Sequence, residues 1–442
     1  MAEPLPTAQD EVAGLAAGLI RIDTTNRGGG DGREREAAQY VAARLAEAGL
    51  DPLLLESAPG RANVVARVAG RDPEAPALLV HGHLDVVPAD PAGWSVPPFC
   101  GEIRDGVLWG RGAVDMKNAD AVVLAVVRDW ARAGRLPPRD IVLAFTADEE
   151  DTAAYGARWL VERHPEQFRG CAEAIGESGA FTFHAGSRTR LYPVASAERG
   201  TAWLKLTARG TAGHGSKPNA DNAVTALAGA MARIGAHEWP VRLIPAVRAA
   251  IAAIAAAVAP ERGGWDPGAP LDGLGEAAAL VAATIRNSAN PTMLRAGGKV
   301  NVIPAEAVGY VDGRVLAGYE DEFSQTLDEL TGPAVTWEYL HRERPVQAPF
   351  DGPLVTAMTD ALLAEDPGAT VIPHCMSGGT DAKQFSRLGM ACYGFMPLVL
   401  PPGYYYYAMF HGVNERVPVS ALQASVRIMD RFLMNGVSQD SR

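Results

Sequence analysis

Apolar positions in this chain switch between two spacings, and the switches mark out its elements. Over residues 9–20 and 33–48 they recur at helical spacing, which gives a helix one apolar face. The glycine-rich turn 27–32 separates the two. Short, nearly continuous apolar runs follow at 53–55, 62–68 and 77–80, and these predict strands. Helical spacing returns over 118–133 and 155–163, with further apolar runs at 141–145 and 172–175. Strands alternating with helices predict an α/β fold: a mostly parallel sheet flanked by helices on both faces.

The pattern changes near Ser196. Residues 201–207 alternate as a half-exposed strand does, and 221–234 reads as a helix. An alanine-rich, proline-punctuated stretch occupies 242–275. Strands at 299–303 and 307–315, a helix at 321–330 and a strand at 334–340 come next. They predict a small α+β domain with one exposed sheet face. Beyond Pro345 the first pattern resumes, with helix 354–363, strand 370–373, a helix from Asp381, strand 391–395 and a closing helix from Ser420. The expected organisation is a discontinuous domain, 1–195 with 343–442, interrupted by an inserted one at 196–342. A chain of 442 residues is also too long for one ordinary core.

Composition narrows the function classes. Apolar residues make up 48% and charged ones 21%, the balance of a globular protein. A formal charge of −12 argues against a nucleic-acid or anionic-membrane surface. Cys100, Cys171, Cys375 and Cys392 lie too far apart for a zinc knuckle and suggest no disulfide framework, which fits a reducing cytosol. The opening residues lack a basic, then apolar, leader pattern. No apolar run is long enough for a membrane span, and 249–259 reads as a soluble helix ended by Pro260. A cytoplasmic protein with a small-molecule partner is the expectation.

Chemistry gathers where strands should end. The run 77–80 leads into His81-Gly82-His83-Leu84-Asp85, whose polar members alternate at period two and can share a side. A neutral imidazole is a common metal ligand, and a nearby carboxylate orients it. Asp148-Glu149-Glu150 follows the run 141–145, and Glu177 follows 172–175. Asp115 sits in Gly110-Arg-Gly-Ala-Val-Asp115-Met-Lys117 before a helix, and His411 lies near the C-terminus after the tyrosines 404–407. Singly, each has a plainer explanation: a helix cap for Asp115, a solvated turn for the three acids. Together, two imidazoles and three carboxylates are what two dications need if one carboxylate bridges.

The ordered set resembles the co-catalytic zinc aminoacylase and carboxypeptidase family. That family includes aminoacylase, acetylornithine deacetylase, succinyl-diaminopimelate desuccinylase and glutamate carboxypeptidase. The matching segments are His83-Leu-Asp85-Val-Val-Pro88, the Asp115 motif, Glu149-Glu150, Gly176-Glu177, Gly213-His214-Gly-Ser216, Ser377-Gly378-Gly379-Thr380-Asp381 and His411. The resemblance implies a zinc-binding α/β domain interrupted by a lid domain that forms a homodimer interface. It implies two Zn2+, with Co2+ or Mn2+ as possible substitutes. His83, Asp115 and Glu177 would hold one, and Asp115, Glu150 and His411 the other. Asp85 would orient His83, Glu149 would be the general base and acid, and His81 would be structural.

The implied activity is hydrolysis of an N-acyl amino acid, or of a C-terminal peptide bond beside a free carboxylate. His214 would stabilise the oxyanion in the neighbouring subunit's site. Arg314 would grip the substrate carboxylate, with Asn301 nearby and Gly378, Gly379 and Thr380 lining the pocket. Glu177 matches the deacylase and carboxypeptidase branch; dipeptidase relatives tend to have Asp there. Two departures stand out: Val315-Leu-Ala-Gly318 replaces a Pro-Gly after Arg314, and 242–275 is long for the lid. Two alternatives remain open, a dipeptidase of the same family and a catalytically silent binding homologue.

Overall fold

The structure, a computed structural model, describes residues 6–258 and 265–435. Its largest sheet has ten strands. At the centre Ile141–Thr146, Ala77–His83, Cys171–Gly176 and Ala391–Gly394 run parallel. Arg61–Val68 and Leu53–Ala58 extend it antiparallel on one side. On the other, Thr189–Glu198 meets Ala391–Gly394 antiparallel and Thr370–Met376 in parallel.

Ala77–His83 and Ile141–Thr146 are buried at every position because both faces of the sheet are covered. Along Ala77–His83, Leu78 and Val80 join a core that includes helices Ala8–Ile20, Lys117–Ala133, Pro353–Glu365 and Val419–Asn435. Ala77 and Leu79 join the opposite core, with helix Ala157–Arg163, Phe168 and Phe385. Burying each leucine or valine stabilises the sheet by roughly 1.5–3 kcal/mol. His81 follows on the Leu79 side; its ring lies 4.9 Å from that of Phe385 and over Gly176, where a Cβ would come within 2.2 Å of it. Burial drives its pKa down to about 3, so it is a neutral core imidazole.

A second, four-stranded antiparallel sheet runs in the order Ser288–Ala296, Glu306–Val315, Gly200–Arg209, Val335–Glu343. Helices Ala223–Ala236 and Glu320–Thr331 pack on one face around Leu204, Leu227 and Phe323. The other face is open, with Trp203 and Leu340 exposed.

Three features depart from the pattern. Strands Thr189–Glu198 and Ser288–Ala296 carry Pro193 and Pro291, residues that argue against a strand because they cannot donate to the ladder. Ser288–Ala296 tolerates its proline as an edge strand whose register shifts between Pro291 and Met293. Thr189–Glu198 also runs across the expected division at Ser196. Finally, helix Pro245–Val258, expected within the inserted unit 196–342, packs on the large sheet. Its stripe of Val247, Ile251 and Ile254 meets Leu191, Ile372 and Cys375. Ala259 and Pro260, the expected end of that helix, lie outside the described residues. No helix among the described residues is long and apolar enough to cross a membrane.

Candidate active site

Parallel strands deliver their carboxyl ends to one edge, and in α/β sheets that edge is where ligands bind. His83 ends its strand opposite Thr146. Asp148, Glu149 and Glu150 follow Thr146, and Glu177 follows Gly176. Gly82 is required beneath them: a Cβ there would lie 2.2 Å from the buried Asp120 carboxylate on helix Lys117–Ala133. Asp148, Ser178 and His411 all adopt positive φ (66°, 67° and 56°). Such backbone strain in non-glycine residues gathers at functional sites.

These ends converge on Asp115. Its Oδ1 lies 3.1 Å from His83 Nε2 and its Oδ2 3.4 Å from His411 Nε2. Glu150 Oε2 is 3.1 Å from His411 Nε2. Glu149 Oε2 and Glu177 Oε2 are each 3.9 Å from His83 Nε2. The structure thus brings together all five expected metal ligands and the expected base. One carboxylate stands between two imidazoles, each imidazole beside at least one further carboxylate.

The electrostatics call for cationic charge. Four carboxylates crowd this site, and none pairs with a lysine or arginine among the described residues. Burial, then the neighbouring Glu177 charge, raises the Glu149 carboxyl well above its usual range. Burial likewise raises Glu177. Hydrogen bonds to Asp115 and Glu150 raise His411 to about 10. For Asp115, burial is outweighed by hydrogen bonds to His411 and His83, which hold it below the ordinary carboxylate value. Glu150 Oε1 is buried with no hydrogen-bond partner. Two donor sets, His83 with Glu149 and Glu177 and His83 with Asp115 and Glu150, have ligand atoms within 4.8 Å of one another. Oxygen and imidazole donors at that spacing suit a divalent first-row cation.

The cluster floors a pocket of about 530 Å3. Phe181, Tyr407 and Phe410 form one wall, and the Ser377–Gly379 loop another. Trp203 and Arg314 reach in from the smaller sheet. Tyr407 meets Phe181 edge-on at 5.0 Å between ring centroids, and Tyr406 stacks behind it at 4.6 Å.

A scan against family models matches residues 79–435 to peptidase family M20/M25/M40. The chain belongs to this family. It is 27% identical to the N-fatty-acyl-amino acid synthase/hydrolase PM20D1 of Xenopus tropicalis, covering 91% of this chain and 80% of the relative. It is 27% identical to aminoacylase-1 of Sus scrofa, covering 90% and 89%. The M20 family metallo-carboxypeptidase of Sulfolobus solfataricus shares the fold with a TM-score of 0.71 at 17% identity, over 96% of this chain and 99% of that one. This M20 chain is a metallohydrolase of amide or peptide bonds.

Not every expected residue reaches the M20 pocket. His214 and Asn301 are exposed and absent from its lining. His214 pairs with Val302 in a two-stranded ribbon, and its Nδ1 contacts Ser216 Oγ at 2.8 Å. Thr380 is buried beside the pocket, with its N–H donating to Glu198 Oε2 (2.9 Å) and its hydroxyl to Oε1 (2.6 Å). Neither donor is left for a substrate. Asp85 touches His83 through two groups. His83 Nδ1 is 2.9 Å from the Asp85 backbone carbonyl, whereas the carboxylate is at 3.5 Å. That carboxylate also accepts the backbone N–H groups of Glu149 (3.2 Å) and Glu150 (3.1 Å), so it shapes the turn that presents both acids.

Two supports went unread in the sequence. Asn26 Nδ2 donates to Asp85 (2.9 Å) and Asp148 (3.1 Å), and Arg61 donates to Asp148 (2.7 Å) and Glu34 (2.7 Å). All are buried. Glu415 accepts from the backbone of Val114 (2.7 Å) and Asp115 (3.1 Å) and from Arg111 (2.7 Å), tying the Asp115 loop to the His411 segment. None of these residues has a spacing signature. Replacing Arg61 with leucine leaves Glu34 and Asp148 buried without their cation. The expected loss is about 3–5 kcal/mol of folding stability, measured by urea denaturation. A loss under about 1 kcal/mol contradicts the account.

Proposed function

We propose that the chain is a two-metal hydrolase cleaving the amide bond of an N-acyl amino acid, or a C-terminal peptide bond beside a free carboxylate. One observation carries the reading: Arg314 and the Asp115-centred cluster line the same pocket, so cationic and metal-ligating ends face one bound molecule. We assign His83, Asp115 and Glu177 to one cation and Asp115, Glu150 and His411 to the other, taken as Zn2+ with Co2+ or Mn2+ as substitutes. When bound, the cations supply the Lewis acidity that acidifies water and polarises the amide carbonyl. Glu149, buried beside His83, takes the proton from the attacking water and passes it to the leaving amine. Asp85 fixes the turn that aims it.

Arg314 holds the substrate carboxylate. Its guanidinium is kept in place by Asp312, with Nε 2.9 Å from Oδ1 and Nη2 3.2 Å from Oδ2, and Nη1 faces Thr201 at 3.4 Å. Gly378 and Gly379 line the opposite side, and Phe181, Tyr407 and Phe410 receive an apolar acyl group. The test compares N-acyl amino acids with their carboxamides, using metal-loaded wild type and Arg314→Ala. The wild type prefers the acid by roughly 10²-fold or more in kcat/KM, and the variant loses that preference. Equal rates for acid and amide in the wild type dismiss the carboxylate clamp. A required free α-amine would indicate the dipeptidase alternative, and no chelator-reversible hydrolysis of any such substrate the silent one. We move the first boundary of the catalytic unit, expected at 1–195 with 343–442, to Glu198, where strand Thr189–Glu198 ends, and add helix Pro245–Val258 to it.

His214 enters this scheme only through a second copy. The edge strand Ser288–Ala296 exposes Met293 and Leu294, and Val302 is exposed beside His214. Such an edge is a template for pairing with another chain. We assign a homodimer through this lid edge, with His214 of each copy serving the other's oxyanion. Sedimentation at assay concentration should show a dimer, and inactive His214→Ala mixed with inactive Glu149→Gln should regain activity. A monomer with full activity removes His214 from the mechanism.

A further inference from the structure

A second recess, about 590 Å3 in volume, opens behind the active pocket where the smaller sheet joins the larger unit. Its lining carries five cationic side chains, Arg158, Arg342, Arg344, Lys383 and Arg387, against two carboxylates, Glu162 and Glu343. In a protein whose formal charge is −12, such a concentration of positive charge is a local exception. The cations come from separate elements. Arg342 and Arg344 lie at the end of Val335–Glu343 and just past it, Arg158 on helix Ala157–Arg163, and Arg387 on the turn after Ala382–Phe385.

The inner half of the recess already holds an anion. The Glu343 carboxylate accepts from Gln384 Nε2 (2.9 Å) and Lys383 Nζ (3.3 Å), with Arg158 at 3.9 Å and His341 at 3.7 Å. Hydrogen bonds from His341 and Lys383 outweigh burial and hold its pKa near 2. The outer half has one carboxylate, Glu162, for three guanidinium groups. Arg342 and Arg344 form no ion pair among the described residues, Arg342 lying over the Tyr339 ring at 4.9 Å, and Arg387 donates to the surface carboxylate Glu162 (3.0 Å) and to Gln384 Oε1 (2.9 Å). Three guanidinium forks around a polar recess match the oxygens of a phosphate, which they can grip in pairs. Among the described residues no aromatic ring lines the recess, so nothing there favours a stacked base.

We propose that this recess is a binding site for a small phosphate-class oxyanion, held by Arg342, Arg344 and Arg387 and separate from the catalytic centre. The two sites share a wall: Lys383 lies under Gly379 of the active pocket, where a Cβ would be 1.9 Å from Nζ. The anion also bridges the segment returning from the smaller sheet to the larger unit.

Calorimetric titration of inorganic phosphate into the metal-loaded enzyme tests this at constant ionic strength, against Arg344→Ser/Arg387→Ser and the matching double lysine variant. Phosphate bound at the metals competes with substrate and is common to all three proteins. The wild type is expected to show an additional, non-competitive site whose Kd weakens at least about tenfold in the serine variant and by a smaller factor in the lysine variant, which keeps the charge and loses the forks. Superimposable isotherms for wild type and serine variant overturn the proposal, as does phosphate binding that is wholly competitive with substrate. Glycerol 3-phosphate in place of phosphate identifies the source: tighter binding at the same site indicates an organic phosphate, equal or weaker binding the inorganic ion.

Discussion

Glu149→Gln is expected to keep both cations and the wild-type fold while losing about 10²–10⁴-fold or more in kcat. Glutamine preserves the shape of the side chain and removes its capacity to accept a proton. The distances separate Glu149 from its neighbour. Glu150 is at 3.1 Å from His411 Nε2, within ligand geometry for a shared cation. Glu149 Oε2, like Glu177 Oε2, is 3.9 Å from His83 Nε2, so it lies at the pocket floor on the His83 side and does not contact His411. Metal analysis of the purified variant is the necessary companion to the rate. Turnover within about tenfold of wild type removes Glu149 as the base, and loss of a metal equivalent makes it a ligand instead.

Asp115→Ala is expected to be the most damaging ligand substitution. Asp115 alone among the carboxylates lies between both imidazoles, at 3.1 and 3.4 Å. Removing it leaves each cation a donor short and takes away the negative charge between them. Metal content should fall from about two cations per chain to one or fewer, with turnover dropping beyond the 10–100-fold typical of losing an outer partner. Glu177→Ala, by contrast, should deplete one cation only. Two retained cations in Asp115→Ala would exclude it as the bridge. The Asp115 loop is held by Glu415, so elemental analysis should be paired with circular dichroism to confirm that the fold survives.

The central architecture was legible because its cause is local. Strands such as Ala77–His83 and Ile141–Thr146 are buried at each position since both faces are covered, and that leaves an apolar run in the sequence up to their polar ends. Thr189–Glu198 was not legible because Pro193 reads as a strand breaker, yet the strand lies among neighbours that pair around it. Helix Pro245–Val258 was legible as a helix but not in its partner. Its valine and isoleucine stripe would suit any apolar surface, and contacts with Leu191 and Ile372 selected the large sheet.

By itself the sequence determined that His83, Glu149, Glu150 and Glu177 stand at strand ends, because a residue's place at the end of an apolar run is a local property. With the Asp115 and His411 motifs it named the residues that gather at the site. Only the tertiary structure decided which neighbours hold them. Asn26, Arg61 and Glu415 act across separations such as the 300 residues between Asp115 and Glu415, through hydrogen bonds that have no periodicity to read. The fold likewise decided that Thr380 spends its donors on Glu198, and that His214 and Asn301 lie outside their own chain's pocket. Which polar groups meet in a buried site is set by strand register and packing, and those emerge only when distant segments close on one another.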